Sequence, residues 1–179
     1  MPEIKTVDFW QWAYSDLMSN ALRGVLAEYI VACATGCTQK PRAEWDAYDL
    51  QTESGLKIEV KSAAYLQSWE QKRLSPIRFD IATKKGWDAK NNLTSATSCR
   101  SADLYVFCVF AAQKKGSANP LDTDQWFFLL CSTPQINAQF GNQKSISLSS
   151  LEATSVKRLT YSELSAEIKR AEKALSPQQ

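Results

Sequence analysis

Two continuous apolar runs constrain this chain more than any other feature. Leu104–Ala111 reads Leu-Tyr-Val-Phe-Cys-Val-Phe-Ala, and Trp126–Cys131 reads Trp-Phe-Phe-Leu-Leu-Cys. Neither shows the apolar-polar alternation of a strand with one wet face. Both are far shorter than the ~18 residues a membrane span requires. Short apolar runs rich in β-branched and aromatic residues predict central strands covered on both faces. A sheet covered on both sides needs other layers, so the expected class is α/β or α+β, with a central mixed β-sheet flanked by helices.

The remaining elements are read around those strands. Leu22, Val25, Leu26, Tyr29, Ile30 and Cys33 recur at helical spacing, which predicts a helix over Asn20–Thr35 stopped by Gly36. Asp8–Met18 carries Phe9, Trp10, Trp12 and Tyr14 and predicts a short aromatic helix that covers the core. Trp45–Thr52 and Leu56–Lys61 alternate around Glu53-Ser54-Gly55 and predict a β-hairpin. Ala63–Arg73 is expected to be helical, and Ile77–Ile81 a short strand. Lys85–Arg100 and Gln113–Asp124 read as loops. Thr160-x-x-Glu163 opens a C-terminal helix over Tyr161–Leu175. There is no repeat and no linker. A single domain over residues 1–179 is expected, with the aromatic segment at about 1–18 and the last helix at about 161–175.

Composition removes whole classes of chemistry. The 179 residues are 44% hydrophobic and 22% charged, within the range of folded domains. There is no histidine, which excludes Ser-His-Asp and Cys-His hydrolases and every His-ligated metal site. The five cysteines (Cys33, Cys37, Cys99, Cys108 and Cys131) include no Cys-x-x-Cys pair, and Cys108 and Cys131 read as buried small hydrophobes. Met1–Asp8 lacks the pattern of a signal peptide. A reduced, cytoplasmic protein with no membrane segment is the expectation.

Carboxylates and lysines are left to carry chemistry, and the hairpin gathers them. On its second strand, Lys57, Glu59 and Lys61 point away from Ile58 and Val60. If Glu53-Ser54-Gly55 forms a three-residue loop, Thr52 pairs with Leu56 and Asp49 stands across from Glu59, whereas a two-residue turn would set Asp49 beside the pair. Directly opposed Cβ atoms lie about 5 Å apart. Two acids that close repel unless a cation lies between them, and Mg²⁺ suits one or two carboxylates plus waters. Lys61 stands one pleat beyond Glu59 on the same face. Asp46 is the rival acid, but strand parity turns it toward Tyr48. Glu28, on the first long helix, has Ala21, Gly24 and Ala32 as i−7, i−4 and i+4 neighbours. Small neighbours admit another backbone closely, so Glu28 needs a partner, either a metal-bound water or a hairpin lysine.

The helix Arg23-Gly24-Val25-Leu26-Ala27-Glu28-Tyr29, followed by Asp49 and Glu59-Val60-Lys61, resembles the PD-(D/E)XK nuclease superfamily, whose core is called restriction-endonuclease-like. Resolvase-like members share the helical glutamate. The resemblance implies Asp49, Glu59 and the Val60 carbonyl as metal ligands, Lys61 as the catalytic lysine and Glu28 as a further catalytic acid. Gln67 resembles a polar residue that members place near the site. No proline precedes Asp49, where Tyr48 stands. The runs Glu59–Trp69 and Ala102–Phe107 also resemble a bacterial group within the superfamily, a likeness that brings no activity of its own.

Charge supports a phosphate-bearing substrate. Residues 54–100 hold nine basic and four acidic side chains, a local +5 in a chain of net +2. Trp69, Lys72 and Arg73 fall in that block, and Trp69 and Trp87 are candidates to stack on exposed bases. The expected activity is a Mg²⁺-dependent endonuclease hydrolysing DNA phosphodiester bonds, with Mn²⁺ as a substitute. The substrate could be branched or single-stranded, and a homodimer is compatible with the resemblance. The alternative is a non-catalytic nucleic-acid-binding or assembly module of a defence or DNA-processing system.

Overall fold

The run Leu104–Phe110 forms an inner strand of a sheet, whereas Trp126–Ser132 forms its terminal strand, not a central one, with Phe127 and Leu130 only partly buried. The computed structural model describes residues 3–42, 46–88 and 93–175. Strands β1 (Leu50–Gln51), β2 (Lys57–Ala64), β6 (Leu104–Phe110) and β7 (Trp126–Ser132) form one sheet in the order β1-β2-β6-β7. β1 is antiparallel to β2, β2 parallel to β6, and β6 antiparallel to β7. The sheet is therefore mixed, as expected. Every residue of β6 is buried. Leu104, Val106, Cys108 and Phe110 pack on one side with helices α2 (Asn20–Thr35) and α5 (Tyr161–Leu175). Tyr105, Phe107 and Val109 pack on the other with Phe79, Leu129, Ile136 and Ile146. This second layer is built from β3 (Arg78–Asp80), β8 (Ser145–Ser147), α3 (Thr133–Phe140) and α4 (Leu148–Glu152), with β3 and β8 paired antiparallel.

The two long helices begin and end where local chemistry dictates. Ser19 caps α2, its hydroxyl accepting from Leu22 N–H, and Gly36 stops it in the left-handed conformation at φ 76°. The Glu163 carboxylate accepts from Thr160 N–H at 2.7 Å ahead of α5. Cys108 and Cys131 are buried and all five cysteines are free thiols. No helix among the described residues is long and apolar enough to cross a membrane.

Further expectations need correction. The aromatic segment forms α1 (Thr6–Tyr14), but it buries none of its residues, and Trp12 is 85% exposed. α2 turns only part of the predicted stripe inward: Leu26 and Ile30 are buried, joined by Ala27 and Val31, while Val25, Tyr29 and Cys33 are exposed. Close packing of this helix on β2 favours its small face, so Ala27 goes inside and the bulky Tyr29 stays outside. Ala63–Arg73 is not helical. Ala63 and Ala64 extend β2 opposite Val109 and Phe110, and this pairing overrides alanine's helix preference. Lys85–Arg100 is not a loop but mostly the hairpin β4 (Lys84–Asp88) and β5 (Leu93–Cys99), whose polar sequence lacks the apolar alternation that announces a strand. Residues 89–92 lie outside the described residues, as does Trp45 at the start of the predicted first hairpin strand. That strand is short: residues 46–49 are bends, and only Leu50 and Gln51 pair. Gln113–Asp124 is a connection holding two 3₁₀ turns.

Candidate active site

The loop between β1 and β2 sets the geometry. Thr52 N–H donates to Leu56 C=O at 3.0 Å, Gly55 N–H donates to Thr52 C=O at 3.0 Å, and Gly55 adopts φ 96°, where a side chain would be strained. The register is Leu50 opposite Ile58 and Gln51 opposite Lys57. Continued by one residue, it sets Asp49 opposite Glu59.

Asp49 does not simply extend the ladder. Its N–H donates to Ile58 C=O at 3.0 Å, while its Oδ2 accepts from Val60 N–H at 2.7 Å. The carboxylate thus stands where the next carbonyl of a longer β1 would stand, closing the pairing at the edge of β2. A residue's N–H and C=O leave a strand on the same side, so the Val60 carbonyl faces this same edge.

Burial is the main force that pushes the Asp49 carboxyl up to about 6, and the charge of Glu59 adds to it; Glu28 presses in the same direction. The Val60 N–H and Lys61 oppose the shift without cancelling it. Asp49, Glu59, Glu28 and Lys61 therefore share one electrostatic neighbourhood.

Glu59 and Lys61 form an ion pair, and both side chains are more than four-fifths buried. In the parallel register Glu59 lies beside Tyr105 and Lys61 beside Phe107. Burial and the Glu59 charge hold the Tyr105 phenol well above its usual range. Glu28 is held by Arg42 and not by a hairpin lysine, with Nε on Oε2 and Nη2 on Oε1 at 3.0 Å. The sequence reading missed Arg42, which lies in the link from α2 to β1 and carries no pattern of its own. Asp46 is exposed in the bend ahead of Asp49.

The substrate candidates separate. Gln67 is buried, its Nε2 donating to Ala64 C=O at 3.1 Å while its Oε1 has no partner among the described residues. Trp69 is 55% exposed, so it is not a core residue. Lys72 and Arg73 are exposed. The side chain of Trp87 lies outside the described residues.

Among the described residues, no three acidic or thiol side chains form a ready-made metal cage. The donor set nevertheless fits Mg²⁺, which takes one or two carboxylates and keeps several waters. Asp49 and Glu59 are two such carboxylates, with the Val60 carbonyl on the same edge. Burial first and the Glu59 charge second disfavour the ionised Asp49 carboxylate, and a divalent cation held there would favour it.

A central four-stranded mixed sheet flanked by helices is consistent with an α+β nuclease-like core. The family model described as bacteriophage T4 endonuclease IV matches residues 9–150. The chain belongs to that endonuclease family. The match runs from within α1 to within α4 and includes Glu28, Asp49, Glu59 and Lys61. No curated protein matches the chain.

Proposed function

We propose that this endonuclease cuts DNA in a Mg²⁺-dependent reaction at a PD-(D/E)XK-type site formed by Asp49, Glu59, Lys61 and Glu28. The observation that carries the reading is the Asp49 carboxyl, bound to Val60 N–H and raised to about 6 beside Glu59. Asp49 and Glu59, with the Val60 carbonyl, would hold the ion. When bound, Mg²⁺ (or Mn²⁺) supplies a water of lowered pKa and neutralises charge on the scissile phosphate. Lys61, held against Glu59, orients the attacking water and donates hydrogen bonds to the phosphate oxygens. Glu28, once released by Arg42, accepts from a further water. The exposed Trp69, Lys72 and Arg73 would contact the nucleic acid, and the buried Gln67 would brace their loop through Ala64.

A second reading, a nucleic-acid-binding module without turnover, has one observation in its favour: Glu28 and Glu59 are each already neutralised by a cation of the chain. One experiment separates the two. Purified protein is incubated with Mg²⁺ or Mn²⁺ and linear, circular, single-stranded and branched DNAs, with Lys61→Ala alongside. Metal-dependent cleavage reduced at least about 10³-fold in the variant, with DNA binding kept, is expected. A fully active Lys61→Ala protein refutes the site assignment, and binding without cleavage supports the second reading.

A further inference from the structure

β2 and β6 are parallel neighbours that end together at Ala64 and Phe110. The segments that follow them therefore start side by side, and they enclose a groove of about 370 Å³ lined by Leu66, Glu70, Lys72, Arg73, Gln113 and Lys115, among others. Crevices at the carboxyl ends of parallel strands are where open α/β sheets receive ligands. Three cations line this groove against one acid, and among the described residues none of the three makes an ion pair.

The loop that carries two of these cations is braced from within. The Gln71 side chain donates to Ser75 Oγ at 3.0 Å and to Tyr65 C=O at 3.3 Å, and accepts from Gln67 N–H at 2.7 Å. Like charges on a braced frame repel one another and invite an anion. Leu66 is five residues past Lys61, at most about 17 Å of extended chain. Measured along the axis of a duplex, about five phosphates of one strand fall within that length at 3.4 Å each.

We propose that this groove seats the phosphate backbone of the nucleic acid beside the cleavage site, with Lys115 and Gln113 from the connection after β6 joining Lys72 and Arg73. The identity of the ligand rests on the nuclease reading.

The test measures binding of a fluorescent DNA oligonucleotide by anisotropy in EDTA across a salt series, using the full chain. Lys72→Gln/Arg73→Gln/Lys115→Gln is compared with wild type and with Lys157→Gln/Lys169→Gln/Lys173→Gln, which removes the same charge from exposed positions elsewhere. The groove variant is expected to bind about tenfold more weakly, with the slope of log K against log salt smaller by about 2. The comparison variant is expected to change less than about twofold. Equal losses in both variants, or none in the groove variant, overturn the proposal. Displacement of the DNA by inorganic phosphate at constant ionic strength would assign the groove to free phosphate and overturn it too. Mg²⁺-dependent cleavage is assayed separately. A wild type that cuts, with a groove variant that binds and cuts equally, removes the groove and leaves the nuclease. A groove variant that loses binding while no protein cuts leaves the groove and removes the nuclease.

Discussion

β2 and β6 are adjacent parallel strands in one sheet, yet they are opposite in character. β6 is apolar throughout and buried on both faces between two layers. β2 pairs with β6 from Ile58 to Ala64 on one side, but on the other β1 pairs with it for only two residues. Beyond Ile58 that edge is closed by the Asp49 carboxylate rather than by a strand. Glu59 and Lys61 are tolerated on β2 because each satisfies the other near an open edge. On β6 the same charges would have no partner and no water. A strand that is half core and half edge can hold acids at fixed positions and still keep them reachable.

Several outcomes would break or sharpen this contrast. The largest effect is expected on β6. Phe107 is fully buried and packs on Phe79 with ring centroids 4.9 Å apart. Phe107→Ala should cost about 3–5 kcal/mol of unfolding free energy, measured by urea titration. A cost near that of a surface substitution would mean the second layer is not cohesive.

The β2 edge should respond to pH and metal instead. The Asp49 carboxyl is raised in the folded state to about 6 from 3.8. A raised carboxyl binds its proton more tightly folded than unfolded, so its contribution to stability is present below pH about 4 and is lost as pH rises through about 6. Without metal, Asp49→Asn keeps an acceptor for Val60 N–H and carries no charge. It should therefore be more stable than wild type at pH 7.5, by about 1–2 kcal/mol, and show a flatter stability profile between pH 4 and 6. Adding Mg²⁺ should raise the melting temperature of wild type and not of Asp49→Asn. A variant less stable than wild type at pH 7.5 in EDTA would show that the ionised Asp49 stabilises the fold.

The smallest effect is expected at the outermost aromatic. Trp12→Ala removes the more exposed of the two tryptophans of α1, and stability should change by less than about 0.5 kcal/mol. A loss of several kcal/mol would mean that α1 has a partner surface.

The helices α2 and α5, the strands β6 and β7 and the register of the β1–β2 loop were all legible in the sequence. Each rests on local information: Gly36 as a stop, Thr160 and Glu163 as a start, continuous apolar runs, and a three-residue turn. The opposition of Asp49 and Glu59 followed from that turn alone. The face of α2, the exposure of α1, the extension of β2 through Ala64 and the β4–β5 hairpin were not legible. Ala27 is inside and Tyr29 outside because a helix lying close on a sheet selects small side chains, and helical spacing alone placed Tyr29 in the apolar stripe.

The sequence by itself determined which groups are available for chemistry. With no histidine, only carboxylates, lysines, hydroxyls and thiols remain, and local turn geometry pairs two of the acids. Tertiary structure decided how those groups are held: Arg42 on Glu28, the Asp49 carboxylate on Val60 N–H, and Lys115 brought beside Lys72 and Arg73. The reason is physical. Turn type and strand parity act within a few residues, whereas ion pairs and grooves join segments whose approach is set by the packing of the layers between them.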